Sequence, residues 1–156
     1  TNTTPVFQKS NERFALNFAR KSRPEQLILA EGYMDVIALH AAGFTTAVAS
    51  LGTALTEQHG RTLARYAKEV IICYDSDTAG QKATLKAISV LRANGVKVKV
   101  AQIPDAKDPD EFLKRYPQDG QERLQAIFNA APNDTEYRLM QCKNGLDVET
   151  QAGNLA

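Results

Sequence analysis

Val70-Ile71-Ile72-Cys73-Tyr74-Asp75-Ser76-Asp77-Thr78-Ala79-Gly80 is the stretch on which the fold turns. Its first five residues are apolar or aromatic, with β-branched ones leading, the composition of a strand buried on both faces. Two carboxylates follow one residue apart, and then a helix begins. Each carboxylate raises the cost of ionising the other unless a cation offsets the repulsion. Hard divalent ions such as Mg²⁺ prefer oxygen ligands of this kind. A parallel α/β sheet carries its chemistry just beyond the carboxyl ends of its strands, which is where this pair falls. The pair reads as a metal site.

Outward from that strand, the patterning alternates between strand and helix. Residues 27–30 read as a short apolar strand ending at Glu31-Gly32, and 34–42 as a helix stopped by Gly43. Residues 45–50 form a second strand and 51–53 a turn. Thr56 is placed to cap a helix running to Tyr66, because its hydroxyl can accept from the unsatisfied amides of the first turn. A helix over 78–93 carries Ala83, Ala87, Ile88 and Leu91 on one stripe and closes at Asn94-Gly95. Residues 97–103 interleave valines with lysines, as a half-exposed or edge strand does. An acidic loop follows Pro104, the remainder to Ala131 reads as helical, and 134–142 as a further helix. Upstream, 1–6 is irregular, and 7–21 is an amphipathic stretch broken at Arg23-Pro24. Four strand–helix alternations with short connections predict an α/β fold: a largely parallel four-stranded sheet flanked by helices, with right-handed crossovers. An N-terminal helical lead-in and a C-terminal helical extension complete it.

Composition bounds the rest. A chain of 156 residues is long enough for one core, and 19 basic against 18 acidic side chains point to neither nucleic acid nor membrane. Residues 1–30 are more biased, with five bases against two acids, for which a solvated helix face is the plain account. Cys73 and Cys142 are far apart, which excludes a Cys-rich zinc module and any disulfide framework and makes a reducing, intracellular setting the default. No apolar run approaches a membrane span, and no signal peptide is evident. The chain opens Thr1-Asn2-Thr3-Thr4 and stops at Asn154-Leu155-Ala156, and is expected to be a piece of a longer protein.

Acids recur at strand ends. Glu31 ends the first strand, Asp35 follows in the first turn of its helix, Asp75 and Asp77 follow the third, and Asp108 and Asp110 lie after the fourth. Parallel strands point their carboxyl ends to one sheet edge, so these residues converge there. Gathering them without a cation costs about 1.4 kcal/mol for each pKa unit displaced, and bound Mg²⁺ is the simplest remedy. Other roles compete. Asp108-Pro109-Asp110-Glu111 is also a good helix start, and Asp35 is also a first-turn acid beside the helix dipole. Asp75 and Asp77 resist that account, since a cap needs one of them. Glu31 could be a solvated strand end, although Gly32 beside it suggests close backbone packing. His40 and His59 are isolated and read as surface or core residues.

In this order and combination, the residues resemble the Toprim domain, whose pattern is Glu-Gly after the first strand and Asp-x-Asp after the third. The fit extends to one branch. Glu31-Gly32-Tyr33-Met34-Asp35-Val36, Ala49-Ser50-Leu51-Gly52-Thr53, Tyr74-Asp75-Ser76-Asp77-Thr78-Ala79-Gly80 and Asp108-Pro109-Asp110-Glu111 are similar to the polymerase core of bacterial, DnaG-type DNA primases. Pro5-Val6-Phe7-Gln8-Lys9 is similar to the primase segment that carries a basic residue beside the site. The resemblance spans roughly residues 5–150. Ser76-Asp77-Thr78 departs from it, standing where primases often have Gly-Asp-Arg or Gly-Asp-Lys; a basic side chain is lost but no carboxylate.

The resemblance implies a Toprim-like core over 25–116, preceded by the end of a polymerase subdomain over 1–24 and followed by a truncated helical subdomain over 117–156. It implies Glu31, Asp75 and Asp77 as catalytic residues. Glu31 would be the acid/base or metal-orienting carboxylate. Asp75, Asp77 and Asp108 would hold Mg²⁺ or Mn²⁺, joined by Glu31 and Asp110, with Asp35, Gly32, Gly52 and Thr53 in support. Lys9, and less directly Arg13, would contact triphosphate or template, although a plain surface role for Lys9 stays open. Metal-bound nucleoside triphosphate would be attacked by the 3′-hydroxyl of a growing RNA on single-stranded DNA, releasing pyrophosphate. The implied setting is the bacterial cytoplasm at the replication fork. Replicative helicase and single-strand-binding protein would be partners, mainly through regions absent here, and neither membrane nor zinc is called for. The fragment alone is expected to bind metal and nucleotide with little or no template-directed synthesis. Two other readings stand beside this one. Asp75-x-Asp77-Thr78 also matches the nucleophile motif of haloacid-dehalogenase-like phosphatases, which leaves Glu31-Gly32 unexplained. The other is a non-catalytic metal- or nucleotide-binding module that docks to a helicase or to single-stranded DNA.

Overall fold

A computed structural model describes residues 26–50 and 55–155, with side chains to residue 144. The lead-in over 1–24, the turn at 51–53, and Lys9, Arg13, Gly52 and Thr53 lie outside the described residues. Within them, four strands and six helices alternate: β1 (Gln26–Ala30), α1 (Tyr33–Ala41), β2 (Ala47–Ala49), α2 (Glu57–Tyr66), β3 (Glu69–Cys73), α3 (Thr78–Ala93), β4 (Lys97–Val100), α4 (Pro109–Arg115), α5 (Gly120–Asn129) and α6 (Asp134–Leu155). The strands form one sheet in the order β2-β1-β3-β4, and every pairing is parallel. Ala30 pairs with Cys73, so Glu31 and the Asp-x-Asp turn leave the sheet side by side.

Successive residues of a strand face opposite sides, and both sides of this sheet are filled. Leu27, Leu29, Val70 and Ile72 pack on one side with Leu63, Ile88, Leu91 and Tyr137. Ile28, Ala30, Ile71 and Cys73 pack on the other with Val36, Leu39, Phe112, Leu124 and Phe128. That double burial is why the two central strands read as unbroken apolar runs. The edge strand β4 alternates as expected, with Val98 and Val100 buried and Lys97 exposed. Its free edge is partly covered: Val100 N–H donates to Pro132 C=O at 2.9 Å, and Lys99 bridges to Asn133.

Local signals set the helix ends. Thr56 caps α2, accepting from His59 N–H at 3.1 Å, while Thr56 N–H donates to His59 Nδ1 at 3.2 Å. Gly95, with φ 78°, closes α3 in the left-handed conformation that its missing Cβ allows. The structure differs from the sequence expectation in four places, the first being β4, which ends at Val100 rather than at residue 103. The second strand is three residues long rather than six. The last helix continues well past residue 142. The helical stretch after the acidic loop is two helices, because Pro117 has no N–H to donate and pushes Tyr116 out of helical conformation, to φ −119° and ψ 69°. No helix among the described residues is long and apolar enough to cross a membrane.

Candidate metal centre

Three connections at the carboxyl edge of the sheet supply the acids. Glu31 follows β1 directly, and its Oε1 accepts Asp75 N–H at 2.8 Å, tying the end of β1 to the end of β3. Asp35, in the first turn of α1, turns its carboxylate inward, where Oδ1 accepts Asp110 N–H at 3.1 Å. Asp108 caps α4, accepting Glu111 N–H at 2.8 Å. Asp77 caps α3, accepting Gly80 N–H at 2.7 Å. With Asp77 capping the helix, its neighbour Asp75 is left facing the other acids.

Asp35, Asp75 and Asp108 converge: one carboxylate oxygen from each lies within 4.8 Å of the others. Asp35 is 6% exposed, and the other two are half-buried. Burial, followed by the Asp108 and Asp75 charges, pushes the Asp35 carboxyl up to about 7, although amide hydrogen bonds from Asp110 and Gly32 pull it down. Asp75 is raised to about 6, first by burial and then by Glu31 and Asp108, against the opposing charge of Lys107. Three hard oxygen donors crowded at this electrostatic cost suit a divalent cation such as Mg²⁺ or Mn²⁺.

Capping and ligation do not exclude one another at Asp108, since a carboxylate has a second oxygen once one is spent on an amide. The remaining acids are engaged differently. Asp110 Oδ2 pairs with Lys114 Nζ at 3.1 Å, and Asp77 is about half exposed at the rim. Gly32 is the N-cap position of α1, and a Cβ there would meet Asp35 Oδ2 at 3.1 Å.

Two residues at this edge escaped the sequence reading. Lys107 Nζ lies 3.8 Å from Asp75 and 3.9 Å from Asp77. A lone base directly before Asp108-Pro109-Asp110 was the available signal. Gly80 lets α3 pack beneath the Asp75 carbonyl, and a glycine inside a helix, where it costs about 1 kcal/mol against Ala, is a signal of close approach.

Proton uptake should report on the cluster. An acid whose pKa is raised by folding favours the folded state below its ordinary value near 3.8, and that benefit is lost as pH climbs through about 6 for Asp75 and 7 for Asp35. The metal-free chain should therefore lose stability from these two groups between about pH 4 and about pH 7. Mn²⁺ binding should release protons near neutral pH and weaken as pH falls to about 5, measurable by calorimetry in buffers of different ionisation enthalpy. Affinity independent of pH over that window would contradict this account of the trio.

Comparison with known proteins agrees with the fold. A family model described as Toprim-like matches residues 28–113. A DNA primase of Clostridium acetobutylicum is 44% identical over 137 residues, covering 87% of this chain and 22% of the primase. Among solved structures, the Aquifex aeolicus primase (zinc-binding and RNA polymerase domains) matches with TM-score 0.70 and 34% identity, over 88% of this chain and 32% of that one. A DnaG primase catalytic domain bound to single-stranded DNA matches with TM-score 0.65 and 35% identity, over 77% of this chain and 37% of that one. The chain spans about a fifth of the length of curated relatives it matches.

Proposed function

This chain belongs to the Toprim-like family, and from that membership we propose that it is the catalytic Toprim segment of a bacterial DnaG-type DNA primase, which copies single-stranded DNA into short RNA primers. The observation that carries the reading is the convergence of Asp35, Asp75 and Asp108 from three separate connections onto one point. The metal-dependent chemistry and the residue roles are part of the proposal.

Asp35, Asp75 and Asp108 would hold the divalent ion. Bound there, Mg²⁺ or Mn²⁺ would lower the pKa of the attacking 3′-hydroxyl and neutralise the triphosphate. The chain's own residues do the positioning. Glu31 holds the Asp75 main chain and stands beside the trio, available to orient it or to accept the hydroxyl proton. Asp77 fixes the turn by capping α3 and keeps one oxygen toward the rim, available as a further ligand. Asp110 holds Asp35 through its amide, and its carboxylate would join the metal set by leaving Lys114. Lys9 and Arg13 remain the proposed contacts to triphosphate and template, and Gly52 and Thr53 the proposed supports. Nucleoside triphosphates and single-stranded DNA are the substrates of this reading. Helicase and single-strand-binding protein would be engaged through other parts of a longer protein, in the bacterial cytoplasm.

The phosphatase and docking-module readings are not favoured. The family model that matches is Toprim-like, and the relatives and solved structures that match over most of this chain are primases. The test is synthesis on a single-stranded DNA template by the longer protein expected to contain this chain. Short RNA should form with Mg²⁺ or Mn²⁺ and disappear on chelation. Synthesis that survives chelation, or phosphate release from small phosphoesters in its place, would overturn the reading.

A further inference from the structure

The ammonium of Lys107 faces both carboxylates of the Asp-x-Asp turn, 3.8 Å from Asp75 Oδ2 and 3.9 Å from Asp77 Oδ2. Both separations exceed hydrogen-bond length, so the attraction is Coulombic and the side chain, 57% exposed, stays hydrated. The main chain of Lys107 is held more firmly. Its N–H donates to Glu111 Oε2 at 3.0 Å, and its C=O accepts Ser76 N–H at 3.1 Å. Lys107 thus clips the loop carrying Asp108 to the turn carrying Asp75 and Asp77, while its flexible stem leaves the ammonium free to move.

We propose that Lys107 is an exchangeable counter-ion of the metal centre: it balances Asp75 and Asp77 in the metal-free chain, yields Asp75 to a divalent ion, and then turns its ammonium to the phosphates of the metal-bound nucleotide. The inference rests on the metal-dependent nucleotidyl-transfer reading above. A divalent ion coordinated by Asp75 repels an ammonium about 4 Å from the same carboxylate, and the doubly charged, directly bonded ion holds the position. The released ammonium stays at the rim because its main chain is clipped there. Polyphosphate is the anion that this reading brings to that rim, and a lysine ammonium suits it as a mobile point charge.

Two affinities should move in opposite directions. In the 156-residue chain, Lys107→Gln should raise Mn²⁺ affinity by about 3- to 10-fold, the scale of one water-screened charge at about 4 Å. With Mn²⁺ saturating, the same variant should bind ATP more weakly by about the same factor. Lys107→Arg should restore both values, and Lys86→Gln, on the exposed face of α3, should change neither. A merely structural lysine would weaken Mn²⁺ binding or leave it unchanged, and either result overturns the inference. ATP affinity unaffected by Lys107→Gln overturns it as well. Failure of the unaltered chain to bind Mn²⁺ is a separate result, which removes the metal reading and the inference together.

Discussion

Asp35→Asn should stabilise the metal-free chain and abolish its high-affinity binding of divalent metal. The two effects share one cause. Asp35 is buried beside Asp75 and Asp108, and its carboxyl is raised to about 7 chiefly by burial, with the two neighbouring charges adding to it. Above that pH the ionised group opposes folding, by about 1.4 kcal/mol for each pKa unit and so on the order of a few kcal/mol at pH 8. Asparagine removes the charge but keeps an oxygen to accept Asp110 N–H. The melting temperature without metal should therefore rise at pH 8 and change little near pH 4, where the carboxyl is largely neutral already. Metal binding should fall by at least about 100-fold, since even partners that only orient a ligand cost about 10- to 100-fold when lost. A variant less stable than its parent at pH 8, or one that binds Mn²⁺ normally, would show that Asp35 is an ordinary first-turn acid.

Gly80→Ala should damage fold and site together. On helix propensity alone, alanine at an interior position would gain about 1 kcal/mol. Here its Cβ would lie 1.9 Å from the Asp75 carbonyl oxygen and 2.7 Å from the Asp75 carbonyl carbon. Backbone cannot swing aside as the tip of a side chain can, so either the β3–α3 turn or the helix must move. Overpacking of this kind typically costs about 1–3 kcal/mol, and a backbone collision belongs at or above the upper end. The shift also pulls on Asp77, which holds Gly80 N–H, and on Asp75, whose amide is fixed by Glu31. Urea denaturation should show the lost stability, and Mn²⁺ titration at a temperature where the variant stays folded should show affinity lower by at least about 10-fold. Stability within about 0.5 kcal/mol of the parent would refute the close approach.

Much of this architecture is legible in the chain because strand burial leaves a plain mark. Val70 to Tyr74 is apolar throughout since Val70 and Ile72 face one core and Ile71 and Cys73 the other. The lysines of β4 mark an edge strand for the same reason. Gathering acids at one sheet edge follows from parallel strands alone. Periodicity does not say which way a first-turn carboxylate points, so it does not show that the Asp35 side chain lies beside Asp75 and Asp108. Nor does it tell a cap from a ligand. Asp77 proves to be the cap of α3, while Asp108 both caps α4 and meets the cluster, because one carboxylate offers two oxygens. Lys107 is invisible for a different reason: its partners lie about thirty residues away, and a lone base in a loop carries no pattern. Pro117 was in plain view, and its effect on Tyr116 is ordinary proline stereochemistry.

A crystal of this chain soaked in Mn²⁺ and measured at the manganese absorption edge tests the central claim most directly. The account predicts an anomalous peak bonded at about 2 Å to one oxygen each of Asp35, Asp75 and Asp108. A trio left without a peak, with Mn²⁺ bound elsewhere or not at all, would contradict it.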